Sequence, residues 1–174
     1  MDDSGNFNMN LDAIQDLAAG GFIGFKSVAE LRSDCSCLPK TKGVYLFIRP
    51  QVEAAPEFIP VGTGGHFDNR DPNVPLELLE SNWVKGGLVV YIGKAGGGGT
   101  KATLHSRLRQ YLRFGQGKPI GHWGGRFIWQ LKDAADLVVC WKPLPNEEPS
   151  LVESNLIRQF CKAFGQRPFA NLKG

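Results

Sequence analysis

Two stretches decide the fold: Gly43-Val44-Tyr45-Leu46-Phe47-Ile48 and Leu88-Val89-Val90-Tyr91-Ile92-Gly93. Each is a short apolar run rich in β-branched and aromatic residues, bounded by glycine, which reads as a strand. Both are apolar at every position, so their sheet is expected to be covered on both faces.

The elements that can cover it lie further along. Ala102–Arg113 places Leu104, Leu108 and Leu112 at i, i+4 and i+8, the spacing of one helix face. Asp136–Trp141 reads as a third strand. Ser150–Phe164 aligns Val152, Leu156, Phe160 and Phe164 on one stripe, with Gly165 as its stop. The order strand, strand, helix, strand, helix predicts one small α/β (α+β) domain. Its sheet is expected to be three-stranded and mainly antiparallel, flanked by helices.

Ahead of this core, residues 1–10 read as a polar tail. Leu11–Ala19 reads as a short helix ended by Gly20-Gly21, and Ser27-Val28-Ala29-Glu30 as a capping box opening a second. Residues 1–42 are therefore read as an N-terminal helical extension and 43–174 as the main domain. The pair of short helices either contacts a polymer directly or packs on the sheet, and packing is the commoner use. Residues 50–87, with Pro50, Pro56, Pro60, Pro72 and Pro75, read as a long insertion or lid between the first two strands.

Composition narrows the functions. No apolar run approaches the roughly 18 residues needed to span a bilayer. Met1-Asp2-Asp3-Ser4 is acidic and lacks the basic and apolar regions of a signal peptide, so a cytoplasmic protein with no membrane partner is expected. Cys35 and Cys37 form a C-x-C pair, and His66, His105 and His122 are scattered, which does not make a zinc site. Cys140 and Cys161 sit in apolar runs and read as core thiols.

The net charge is only +3, but residues 91–132 hold Lys94, Lys101, Arg107, Arg109, Arg113, Lys118, Arg126 and Lys132 with no acid. A solvated helix face normally mixes signs. A block of one sign suits a polyphosphate partner, because neutralised phosphates release their counterions.

Five short motifs follow in order: Gly43-Val44-Tyr45; Tyr91-Ile92-Gly93-Lys94-Ala95; Arg107-Leu108-Arg109-Gln110-Tyr111; Glu153-Ser154-Asn155-Leu156-Ile157; and Arg167-Pro168-Phe169-Ala170-Asn171. Together they resemble the GIY-YIG nuclease superfamily, in the form seen in the catalytic domain of the bacterial excision-repair endonuclease. The resemblance spans roughly residues 43–171, apart from the insertion. It implies a metal-dependent DNA endonuclease, with Mg²⁺ as cofactor and Mn²⁺ able to substitute. The biological setting would be restriction, phage defence, repair or a toxin, and duplex-cutting relatives raise a homodimer. DNA is the expected partner, single-stranded or duplex.

The resemblance also implies roles. Glu153 aligns with the metal-binding glutamate, Arg107 with the arginine on the phosphate and Tyr111 with the tyrosine beside it. Tyr45 aligns with the proposed general base, Tyr91 with its partner tyrosine, Lys94 with the lysine set next to Tyr45, and Asn171 with a supporting polar residue. The residues themselves leave alternatives open. Ser150-x-x-Glu153 is equally a capping box in which Glu153 bonds the helix start. A strand tyrosine usually packs its ring, and Tyr111 alone would be a core residue. Lys101, Arg109, Arg113, His122 and Arg126 are the candidate nucleic-acid contacts. His122-Trp123-Gly124-Gly125-Arg126 reads equally as a base-stacking element and as a packed loop.

Other designs fit poorly. No Asp or Glu is followed two residues later by Lys, and Gly96–Lys101 has a phosphate loop's letters in the wrong order. The competing class is a nucleic-acid-binding module that does not cleave. Retention of Tyr45, Tyr91, Arg107 and Glu153 favours the enzyme, since binding needs only the cations.

Overall fold

A computed structural model describes residues 11–172; the N-terminal tail read at 1–10 lies outside the described residues. In chain order the elements are α1 (Ile14–Ala19), β1 (Ile23–Ser27), α2 (Val28–Ser33), β2 (Gly43–Ile48), α3 (Leu76–Asn82), β3 (Val89–Ala95), α4 (Leu104–Phe114), β4 (Val138–Pro143) and α5 (Pro149–Phe164). Short 3-10 turns cover Arg126–Gln130 and Ala134–Asp136.

The fold is mixed α/β, around a sheet of four strands rather than the three expected. Its order is β1-β4-β2-β3 and every pairing is antiparallel. The added strand, β1, comes from the segment read as purely helical. Its side chains are exposed or half-buried, so no apolar alternation marks it. What holds it is the ladder to β4, where Ile23 faces Trp141 and Ser27 faces Val138. Ser27 then caps α2, accepting from the Glu30 backbone while the Glu30 carboxylate accepts from Ser27 N–H, the expected capping box.

The sheet is covered on both faces, as its apolar strands predict. Val44, Leu46, Ile48, Ile92 and Cys140 meet Leu17 of α1 and Leu156 and Phe160 of α5. Tyr45, Phe47, Tyr91, Val139 and Trp141 meet Leu31 of α2 and Leu104, Leu108, Tyr111 and Leu112 of α4. Alternation along β2 assigns the two faces, because successive strand side chains point opposite ways. At the far end of β3 the register slips, so that Phe47 faces Tyr91 and Ile48 faces Val89. Val90 bulges there and joins the α4 face. Of the two thiols read as core, Cys140 is buried and Cys161 is half-exposed.

The insertion is docked rather than a free lid. It contains α3, which its prolines obscure in the sequence. Backbone bonds run from Ile59 N–H to Gln130 O, Thr63 N–H to Trp129 O, Gly65 N–H to Phe114 O and Lys132 N–H to Glu57 O. Gln130 is the hub. Its buried amide donates to the carbonyls of Ile59, Pro60 and Val74 and accepts from Val74 N–H. A buried amide with all these partners stabilises a single arrangement, because each group left bare would cost about 1–3 kcal/mol.

Candidate active site

The cleft of interest opens at the β3 edge of the sheet. It measures about 330 Å³ and is lined by Tyr45, Tyr91, Lys94, Gly96, Thr100, Ala102, Arg107 and Glu153. Four separate elements therefore converge there: β2, β3, α4 and α5.

Each side chain is placed by a local cause. Tyr45 sits opposite Gly93 in the β2–β3 register, and its ring lies across that glycine. A Cβ at Gly93 would fall 2.4 Å from Tyr45 Cζ, so only glycine lets the hydroxyl reach the edge. Arg107 and Tyr111 share one face of α4, one turn apart. The helix starts at a Thr103 cap whose hydroxyl accepts from Ser106 N–H, while Ser106 Oγ accepts from Thr103 N–H. α5 starts at Glu148, whose carboxylate accepts from Ser150 N–H, with Pro149 at the first helical position. Glu148 thus takes the N-cap role that the sequence offered to Ser150, and the Ser150–Glu153 capping box does not form. Glu153 is left to face the cleft.

Lys94 departs from expectation. Its ammonium donates to Ser150 Oγ at 2.8 Å. The cation acting on Tyr45 is Arg107. Ser150, whose hydroxyl the sequence offered only as a helix cap, thus holds Lys94 instead, a contact that sequence reasoning missed.

Electrostatics sort the groups. Burial pushes the Tyr45 hydroxyl up to about 12; the Arg107 charge opposes this and Glu153 adds to it. Ionising such a group at pH 7 costs roughly 7 kcal/mol, so with no further cation beside it Tyr45 is a neutral hydroxyl. It is hydrogen-bonded with Tyr91 and Arg107. Tyr91 is held well above the ordinary tyrosine value, by burial first and by Tyr45 second. Burial also raises the Glu153 carboxyl, against the charges of Lys94 and Arg107. Among the described residues, no side chain hydrogen-bonds or ion-pairs directly with Glu153.

That carboxylate, half-buried with its oxygens open to the cleft, fits a hard cation. No group of three or more His, Cys, Asp and Glu able to hold a metal occurs among the described residues. A cation at Glu153 would take its other ligands from water and phosphate oxygens, the usual pattern for Mg²⁺.

The remaining site residues of the sequence reading stand elsewhere. Tyr111 is fully buried and its hydroxyl donates to the Gly125 carbonyl. Asn171 clamps β3, accepting from Ile92 N–H and donating to Ile92 O, each at 2.8 Å. Both shape the site from behind without lining the cleft. His122 is 1% exposed and stacked on Tyr111, which removes it from the solvent-facing role of a base-stacking residue. Arg126 is half-buried over the Trp123 ring, 4.8 Å from its centroid. Lys101, Arg109 and Arg113 are exposed, whereas Lys132 is tied to Glu57. Among the described residues no helix is long and apolar enough to cross a membrane.

No family model matches the chain, and comparison with curated proteins and with solved structures gives no match.

Proposed function

We propose that this chain is an endonuclease of the GIY-YIG type, hydrolysing DNA phosphodiester bonds with Mg²⁺ or Mn²⁺. The observation that carries the reading is the convergence of Tyr45, Tyr91, Lys94, Arg107 and Glu153 on one cleft at the β3 edge. These residues come from four separate elements, and the charged Lys94, Arg107 and Glu153 have no packing reason to share a cavity.

Each has a task that its surroundings suit. Arg107 presents a planar fork of donors, which can grip two phosphate oxygens and offset their charge. Glu153 is the anionic oxygen ligand for the cation. A bound divalent cation would supply Lewis-acid charge neutralisation and an acidified water. Tyr45 and Tyr91 stay protonated and orient water and phosphate oxygens through their hydroxyls. Lys94, tethered by Ser150, adds positive charge at the wall of the cleft. Lys101, Arg109 and Arg113 extend that charge over the surface for the flanking backbone.

The test is incubation of supercoiled plasmid and single-stranded circular DNA with Mg²⁺, with EDTA, and with Glu153→Ala. Cutting that requires both the metal and Glu153 supports the enzyme. Binding without cutting on either substrate would replace it with a non-cleaving nucleic-acid-binding module.

A further inference from the structure

His122 is the one histidine buried in this chain. Both its ring nitrogens lack a hydrogen-bond partner among the described residues. Bare buried polar atoms are costly, so the imidazole has hydrogen-bonding capacity that a further partner could use. The ring lies nearly flat on Tyr111, with centroids 4.2 Å apart and planes at 21°. Arg107 stands one helical turn before Tyr111 on the same face of α4. Its charge reaches His122, and together with burial it keeps the imidazole neutral, pulled down to about 3. A neutral imidazole offers one lone pair, an acceptor that a guanidinium can use in addition to the Tyr45 hydroxyl.

The loop that carries His122 is fixed against the same tyrosines. Gly125 adopts φ +75, and a Cβ there would meet the Tyr111 hydroxyl and the Tyr91 ring. His122 N–H is bound to Ile120 O, and the Phe67 ring of the insertion packs on Gly121. The imidazole is therefore held in place against Tyr111, one helical turn from Arg107 along α4 and behind the cleft.

We propose that His122 is a positioning residue for Arg107: stacked on Tyr111 with both nitrogens bare, its imidazole accepts an Arg107 N–H when the other donors of that guanidinium take a phosphate group. This rests on the phosphodiester reading of the cleft. Two donors of the fork face the phosphate oxygens, and a third turned inward to His122 fixes the plane of the fork. Without that acceptor the guanidinium rotates and loses its two-point grip.

The test is His122→Phe, which keeps the stack and the volume and removes both nitrogens, alongside His122→Asn, which restores an acceptor. The expected result is a Tm equal to or above that of the parent, with cleavage lower by about tenfold or more, the factor that one charge-assisted hydrogen bond carries. His122→Asn recovers part of the rate. In an Arg107→Ala background, His122→Phe costs nothing further. A merely structural His122 gives the opposite pattern: unchanged cleavage, or a loss that multiplies with that of Arg107→Ala, and either would overturn the proposal.

A second readout does not depend on cleavage. The Arg107 Nε–H resonance is followed by NMR as inorganic phosphate is added. Slowed exchange in the parent that is lost in His122→Phe supports the proposal even if no DNA is cut, in which case only the nuclease reading fails. Equal exchange in the two proteins overturns it. If His122→Phe does not fold, the same comparison on His122→Asn decides, with exchange as fast as in the unliganded parent counting against it.

Discussion

The Tyr45 ring lies across Gly93 of the neighbouring strand, where a side chain of even one carbon would stand 2.4 Å from Cζ and 2.6 Å from the hydroxyl oxygen. The glycine thus sets the position of the tyrosine. Gly93→Ala is expected to push the ring from the cleft and to lower stability by about 1–3 kcal/mol, the usual cost of overpacking. Cleavage should fall further than stability explains. Urea denaturation and plasmid cleavage on the same preparation separate the two effects, and full activity in a folded Gly93→Ala would detach Tyr45 from the reaction.

Glu153 should matter to chemistry and not to folding. Its carboxylate is half-buried without a direct partner, so Glu153→Gln removes a desolvated charge at little cost. The variant is expected to keep or gain thermal stability while cleavage is abolished and DNA binding in Ca²⁺ survives. A drop in Tm of several degrees would assign Glu153 to the fold.

Its raised carboxyl also sets a pH dependence. The ionised form is needed to hold a cation, and burial keeps the proton on to a higher pH than usual. The acid limb of kcat/KM should therefore lie above the ordinary carboxylate value near 4.3. Because a bound cation favours the ionised form, raising Mg²⁺ should move that limb to lower pH. A limb that ignores Mg²⁺ would show that another group controls it. Tyr45, pushed up to about 12, should add no rise in rate between pH 7 and 9 from its own ionisation.

Gln130→Leu should loosen the insertion. The change leaves three carbonyls and one N–H of the 59–74 segment without their partner. A loss of roughly 3 kcal/mol is expected by urea denaturation, since several buried backbone groups are bared at once. Limited proteolysis should then cut within residues 57–74 before the rest. Resistance equal to that of the parent would mean that the backbone bonds alone hold the segment.

Much of this architecture can be read from local pattern. β2 and β3 show themselves by continuous apolar runs, and α4 and α5 by leucines and phenylalanines one turn apart. These elements carry most of the cleft, which Tyr45, Tyr91, Arg107 and Glu153 line. What local pattern could not carry is anything fixed by a distant partner. β1 has no alternation because β4 supplies its stability through the backbone. Gln130 has no motif because its partners arrive from 56 to 71 residues upstream. Ser150 does not form the capping box that its spacing to Glu153 suggested, because Lys94 claims its hydroxyl and the Glu148 carboxylate caps the helix instead. His122 sat in an aromatic, basic stretch that reads as a surface, and only the closeness of Tyr111 shows it to be interior.

The strand order has a consequence for how the chain comes to be folded. β4 is the last strand to be made, yet it lies between β1 and β2. During synthesis, β2 and β3 can pair as soon as both have emerged, but β1 waits without a neighbour until β4 has emerged. The insertion waits likewise for Gln130. Folding is thus gated by β4, and a ribosome-bound fragment ending before Val138 would expose an unpaired β2 edge to any chaperone or neighbouring nascent chain.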